Sequence, residues 1–167
     1  MNYEIRPMRV SDAQKVIEIF EEGIAGGNAT FDQKAPSAEE WEQKYVKSCR
    51  WVLENENNEI VGWAALQPVS NRECFRGVAE VSIYLTNSVQ GKGLGKMLLK
   101  KLIVDSEEHE FWTLQAGIFP ENEASIAVHL KLGFRKVGTR EKIGKMHGVW
   151  RDIIFLERRS ETIGLAQ

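Results

Sequence analysis

Apolar and polar positions along this chain change rhythm repeatedly, from the two-residue beat of strands to the three-to-four-residue beat of helices and back. Residues 3–7 have the look of a short first strand. From Ser11 onward, Ala13, Val16, Ile17, Phe20 and Ile24 fall on one helical face, and Ser11 with Gln14 has the pattern of a capping box. Gly23, Gly26 and Gly27 predict the end of that helix and a flexible loop through Asn28, Ala29, Thr30 and Phe31. A second capping box, Ser37 with Glu40, predicts a short helix carrying Trp41 and Tyr45. Residues 51–54 and 60–66 are apolar, β-prone runs joined by Asn55-Glu56-Asn57-Asn58, which reads as a hairpin. Residues 78–85 (VAEVSIYL) are mostly apolar, as a central strand covered on both faces should be. A glycine-rich turn follows, then an amphipathic helix over 94–108 with Leu98, Leu99 and Leu102 inward. A strand over 113–119, a helix over 123–132 closed by Gly133, and two last strands near 134–138 and 150–156 complete the chain. The order βααβββαβαββ predicts one mixed α/β sheet with helices on both faces.

Length and composition narrow the function classes. The 167 residues fit one domain spanning 1–167, and 43% hydrophobic with 28% charged residues excludes a disordered or low-complexity chain. Lys plus Arg is 22 against 24 Asp plus Glu, a net charge of −2, so the basic excess of a nucleic-acid binder is missing. Two distant cysteines, Cys49 and Cys74, suit a reducing cytoplasm, and residues 1–10 carry scattered charges unlike a signal peptide. No apolar run approaches the roughly 18 residues a membrane span needs. Three dispersed histidines, with no HExxH and no cysteine cluster, point to no metal site; His109 reads as a solvated helix-end residue.

The sharpest local feature is Gln90-Gly91-Lys92-Gly93-Leu94-Gly95-Lys96, between an apolar strand and a helix. Glycines allow a tight turn that brings successive amide groups to a ligand, and the helix N-terminus adds its positive dipole end, so an anion belongs there. A Walker loop would need glycine at Gln90 and Ser or Thr at Met97, and a dinucleotide loop starting at Gly91 would need glycine at Lys96. Both fail. The spacing of Gln90, Gly93 and Gly95 instead resembles the Gln-x-x-Gly-x-Gly pyrophosphate loop of the GNAT acetyltransferases, and Asn122, Ser125 and Gly133-Phe134 recur at that family's spacing.

Within that superfamily the chain resembles the phosphinothricin-type amino-acid N-acetyltransferases over nearly its whole length. The matching stretches are Ile5-Arg6-Pro7 with Asp12, Ala29-Thr30-Phe31, Phe75-Arg76-Gly77, Glu80-Val81-Ser82-Ile83-Tyr84, His129 ahead of Leu132-Gly133-Phe134, and His147-Gly148-Val149-Trp150-Arg151-Asp152. The Gly26-Gly27-Asn28 run is a departure at the substrate mouth. The resemblance implies a mostly antiparallel sheet of about seven strands, splayed between the fourth and fifth. It further implies acetyl-CoA as co-substrate, a small-molecule amine as acceptor, direct transfer in a ternary complex, and a homodimer. A protein or peptide N-acetyltransferase and a non-catalytic acyl-CoA-binding module are the alternatives.

Each part of that chemistry has a candidate. Amides from Gly91 to Lys96 would hold the pyrophosphate, and free backbone groups at Ile83, Tyr84 and Leu85 would pair with the pantetheine arm as an added strand does. Asn122 would touch the cofactor or an ordered water, or serve as a plain N-cap. Glu80 is a carboxylate in an apolar strand, where desolvation raises its proton affinity; strand alternation alone favours an edge-facing ion pair, and the family match reverses that and implies the general base. His129 is where the resemblance implies protonation of the departing thiolate, against a packing histidine. Arg72 and Arg76 offer cations for an amino-acid carboxylate, and Phe31 and Trp150 offer aromatic walls. No GxSxG nucleophile appears.

Overall fold

The computed structural model describes residues 1–165. Its strands are β1 (Tyr3–Pro7), β2 (Trp51–Asn55), β3 (Ile60–Pro68), β4 (Val78–Leu85), β5 (Thr113–Ile118), β6 (Arg135–Met146) and β7 (Val149–Arg159). The α-helices are α1 (Ala13–Gly26), α2 (Ala38–Lys44), α3 (Leu94–Glu108) and α4 (Glu123–Lys131). The strands form one sheet in the order β1-β2-β3-β4-β5-β7-β6, antiparallel throughout except for β4 and β5. Alternation along β3 sends Trp63 and Ala65 to one face and Ala64 and Leu66 to the other. The first face packs on α1 and α2 through Val16, Ile19, Phe20 and Trp41. The second packs on α3 and α4 through Leu98, Leu99, Leu102 and Ile126. The predicted mixed sheet with helices on both faces is therefore present.

The parallel pair is short. Residues 78–80 register against 113–115, after which the two strands part. This is the splay that the resemblance implied. Beyond it β4 remains paired only with β3, and β5 only with β7.

Several predicted boundaries move. The Ser37–Glu40 capping box forms as expected, each side chain bonding the other residue's amide at 3.1 Å. The one at Ser11 and Gln14 does not, because Asp12 takes over the turn. Its carboxylate accepts from the Arg9 amide at 2.6 Å and from both terminal nitrogens of the Arg6 guanidinium at 2.8 and 2.9 Å. Gln14 instead donates to Glu18. The first helix runs past Gly23, which packs against the Tyr84 ring, and stops at Gly27, whose φ of +79° suits only a residue without a side chain. The last two strands reach much further than 134–138 and 150–156, forming a long hairpin in which Thr139, Arg140, Gly144 and Lys145 register with β7 across an irregularity at 141–143.

The Arg6–Asp12 pair predicts a pH signature. Hydrogen bonding from Arg6 holds the Asp12 carboxyl below its usual range. A depressed folded value means the pair's stabilisation is complete above the unfolded aspartate pKa of about 3.9 and is lost as pH falls through the lower folded value. Asp12→Ala should cost roughly 1.5–3 kcal/mol near neutral pH. In urea denaturation, the gap from the parent protein should close as the solution is acidified.

Candidate active site

The splay and the glycine loop meet at the C-terminal end of β4. In the loop Gly91 and Gly93 have φ of +78° and +77°, a region that side-chain-bearing residues resist. Gly93 caps α3 without a side-chain bond. Among the described residues, the amides of Gly91 through Lys96 find no acceptor within the protein. They surround the N-terminus of a 15-residue helix, where donors and dipole together suit a pyrophosphate. Gln90 donates to Asn87 at 3.3 Å, Lys92 reaches the Tyr3 hydroxyl at 3.3 Å, and Leu94 is buried as the first inward residue of α3. Around the splay, the β5-facing backbone of Ile83, Tyr84 and Leu85 has no strand partner. These residues fit the elongated thiol ester that the sequence implied.

Beside the splay is a cavity of about 560 Å³. Glu80, Ser82 and Tyr84 alternate into it from β4, while the intervening Val81 and Ile83, which also border it, and Leu85 pack against the core cluster on the α3 side. The expectation of a strand covered equally on both faces is corrected here: one face of β4 lines the cavity. Among the described residues the Glu80 carboxylate has neither a hydrogen bond nor an ion pair. Burial raises its pKa above the ordinary carboxylate value, opposed in part by Lys44 and Arg140. An acidic group with raised proton affinity and free lone pairs can take a proton from an ammonium.

His129 lines the same cavity and is 5% exposed. Its Nδ1 lies 2.7 Å from the Ser125 carbonyl oxygen, so that nitrogen carries the hydrogen, and the buried Nε2 is left without a partner. Burial lowers the imidazole pKa. That direction favours the neutral ring, in which Nε2 is an acceptor. Asn122 forms the N-cap that its residue type allowed: its side-chain oxygen accepts from the Ser125 amide at 3.4 Å, and its nitrogen reaches the Asn28 carbonyl at 3.5 Å. Phe31 packs edge-on against Phe119 at 4.9 Å on the wall.

Two predicted cations lie elsewhere. Arg72 rests over the Phe75 ring, and Arg76 pairs with Glu73 at 3.1 Å and covers Trp112; neither lines the cavity. Trp150 is likewise outside it, 57% exposed on the hairpin. The cations that do line it are Lys44, at the end of α2, and Arg140, on β6. Lys44 lies 3.5 Å from Asp32 and over the rings of Phe20 and Tyr45. Arg140 was missed because its strand was predicted to stop at Gly138; Lys44 belongs to no motif that would single it out. The Tyr45 hydroxyl donates to Ser82 at 3.3 Å, and burial pushes its pKa up to about 12.

Residues 15–134 match the acetyltransferase (GNAT) family. The chain belongs to that family. As a GNAT protein it is an acyltransferase, and its co-substrate is acetyl-CoA. It is similar to the L-amino acid N-acyltransferase MnaT of Escherichia coli K12, with 27% identity over 157 residues covering 92% of this chain and 91% of the relative. It is also similar to the structure of a GNAT superfamily phosphinothricin acetyltransferase from Sinorhizobium meliloti in complex with acetyl-CoA. There the TM-score is 0.90 and the identity 29%, covering 100% of this chain and 93% of the other. A ribosomal-protein-alanine N-acetyltransferase from Brucella melitensis aligns with a TM-score of 0.83 and 28% identity, covering 94% of this chain and 99% of the other. Among the described residues no helix is long and apolar enough to cross a membrane.

Proposed function

We propose that this GNAT enzyme acetylates the amine of a small free amino acid or analogue, of the phosphinothricin, methionine sulfoximine or methionine sulfone kind, by direct transfer in a ternary complex. The observation that carries this reading is the presence, in one cavity, of a carboxylate without a hydrogen bond or ion pair, Glu80, and of two cations, Arg140 and the Asp32-paired Lys44. An amino acid offers the complementary pair: an ammonium to lose a proton and a carboxylate to be held. The relatives named for L-amino acids and phosphinothricin support it.

Glu80 takes one proton from the arriving ammonium, giving a nucleophilic amine. As the nitrogen–carbon bond forms, Nε2 of neutral His129 accepts the second proton and hands it to sulfur when the carbon–sulfur bond breaks. Starting neutral is an advantage for that relay, and burial favours it. The amides of the glycine loop and the open edge of β4 hold the co-substrate while Phe31 and Tyr84 wall the acceptor. We place the activity in the cytoplasm. We further propose a homodimer that covers the exposed Ile143, Val149 and Trp150 of the β6–β7 hairpin, because Ile143 also lines the cavity.

The test is thiol release from acetyl-CoA against a panel of free amino acids, their decarboxylated amines and short peptides. Free amino acids or their analogues should react. Reaction confined to peptides would replace this reading with the protein-directed one that the Brucella relative represents. In the same assay Arg140→Ala should raise KM for the amino acid about tenfold, the loss of one charge-assisted contact, and leave KM for the decarboxylated amine unchanged.

A further inference from the structure

A second cluster of reactive side chains lies well away from this chemistry. Cys49 sits in the segment between α2 and β2, whereas Asp105 and His109 are one turn apart at the far end of α3. The 15 residues of α3, at about 1.5 Å each, put roughly 20 Å between this point and the glycine loop. A thiol, a carboxylate oxygen and an imidazole nitrogen here all lie within 4.8 Å of one another. Cys49 and Asp105 are buried, 3% and 7% exposed, and His109 is half-exposed beside an open cavity that all three line.

The arrangement has the wrong form for a nucleophilic relay. In a Cys–His–Asp triad the thiol and the carboxylate engage opposite ring nitrogens. In this cluster both face one: Nδ1 of His109 is 3.7 Å from Cys49 Sγ and 3.2 Å from Asp105 Oδ1. Burial and Asp105 also push the Cys49 thiol up to about 12, opposite to an activated nucleophile. Three donors converging on one point are instead what a small cation needs. With zinc bonds of about 2.3 Å to sulfur and about 2.0–2.1 Å to nitrogen and oxygen, tetrahedral edges come to about 3.5 Å for S···N and about 3.3 Å for N···O. The observed S···N and N···O separations are close to these, and the sulfur and carboxylate oxygen lie within 4.8 Å of each other.

We propose that Cys49, Asp105 and His109 form a zinc site, binding the ion through Sγ, a carboxylate oxygen and Nδ1, with water from the adjoining cavity as fourth ligand. Two further features support it. Cys49 is held at a φ of +58°, a strained setting for a non-glycine residue that keeps the buried thiol in place. Trp51 donates its indole N–H to Asp105 Oδ2 at 2.9 Å, the outer-shell bond that orients a ligating carboxylate and leaves Oδ1 for the metal. On binding, the thiol gives up its proton to solvent. The His109 hydrogen, shared without metal between the Asp105 carbonyl at 2.9 Å and Oδ1, moves to Nε2 of the half-exposed ring. The ion would tie the end of α3 to the segment that leads into β2 and take no part in acetyl transfer.

Cobalt(II) is the spectroscopic probe. The full chain with Cys74→Ser, which removes the exposed second thiol, should develop a thiolate-to-cobalt charge-transfer band on titration, and stoichiometric zinc should abolish it. Adding Cys49→Ser should eliminate the band, and His109→Ala should weaken cobalt affinity by more than about 100-fold, beyond the roughly 10–100-fold that loss of an outer-shell partner costs. Because His109 is half-exposed, that variant decides the matter even if the buried cysteine change prevents folding. Calorimetric binding of acetyl-CoA reports folding in every variant. Absence of the band from the Cys74→Ser protein, its persistence without Cys49, or unchanged affinity without His109 would overturn the proposal.

Discussion

Glu80→Gln should lower turnover by about 10²–10⁴-fold while leaving acetyl-CoA affinity at the parent value. The substitution preserves the length and shape of the side chain and removes only its capacity to take a proton. Nothing in the fold depends on that capacity, since the carboxylate has no protein partner among the described residues. The parent enzyme should also show a characteristic acid limb. Because burial raises the Glu80 pKa, activity should rise with pH through a value above the ordinary carboxylate range, as the ionised base appears. Glu80→Gln should abolish that limb along with the rate. A variant with parental turnover would remove Glu80 from the base role; a variant with weakened acetyl-CoA binding would make its role one of positioning.

Trp63→Ala should be the most damaging single change to stability, about 3–5 kcal/mol, or a fall in Tm of roughly 6–20 °C for a chain of this size. Trp63 is fully buried between the two tyrosines of the active cavity and the helices behind them. It stacks on Tyr84 at 4.9 Å, and Tyr84 stacks in turn on Phe20 at 4.8 Å; Trp41 and Tyr45 meet Trp63 edge-on at 5.4 and 5.5 Å. Removing the indole leaves a void that the surrounding aromatic rings cannot readily fill. Trp63→Phe should cost less than half as much, because it keeps an aromatic ring and deletes an indole N–H that lacks a partner among the described residues. Thermal melting of both variants checks the ratio; equal losses would mean that ring volume is not what matters here.

Most of the fold could be read from the chain because local chemistry and tertiary packing agree over much of it. The Ser37–Glu40 box, the Asn55–Asn58 turn and the inward leucines of α3 all satisfy local rules and are also buried or capped in the native state. Gln90 through Lys96 was legible for a stronger reason: only glycine adopts the positive φ required there without strain. Glu80 stood out as a charge within an apolar strand. Reading failed where long-range partners prevailed over local pattern. At residues 11–14 the guanidinium of Arg6 captured Asp12, and the nearer capping box was not made. Residues 139–145 carry no apolar alternation, and only the neighbouring strand makes them β, so Arg140 escaped notice as a lining residue. Cys49 lies 60 residues from His109 in the chain, a separation at which spacing carries no information about contact.

The brevity of the pairing between the fourth and fifth strands also bears on solubility. Strand borders with spare donors and acceptors invite other polypeptides to dock and grow into aggregates. Here the spare borders of β4 and β5 face one another rather than lying along an outer edge of the sheet. With the proposed co-substrate grip, the enzyme would keep an adhesive surface for its reagent without laying it along the sheet's rim, where its neighbours in a crowded cell would meet it.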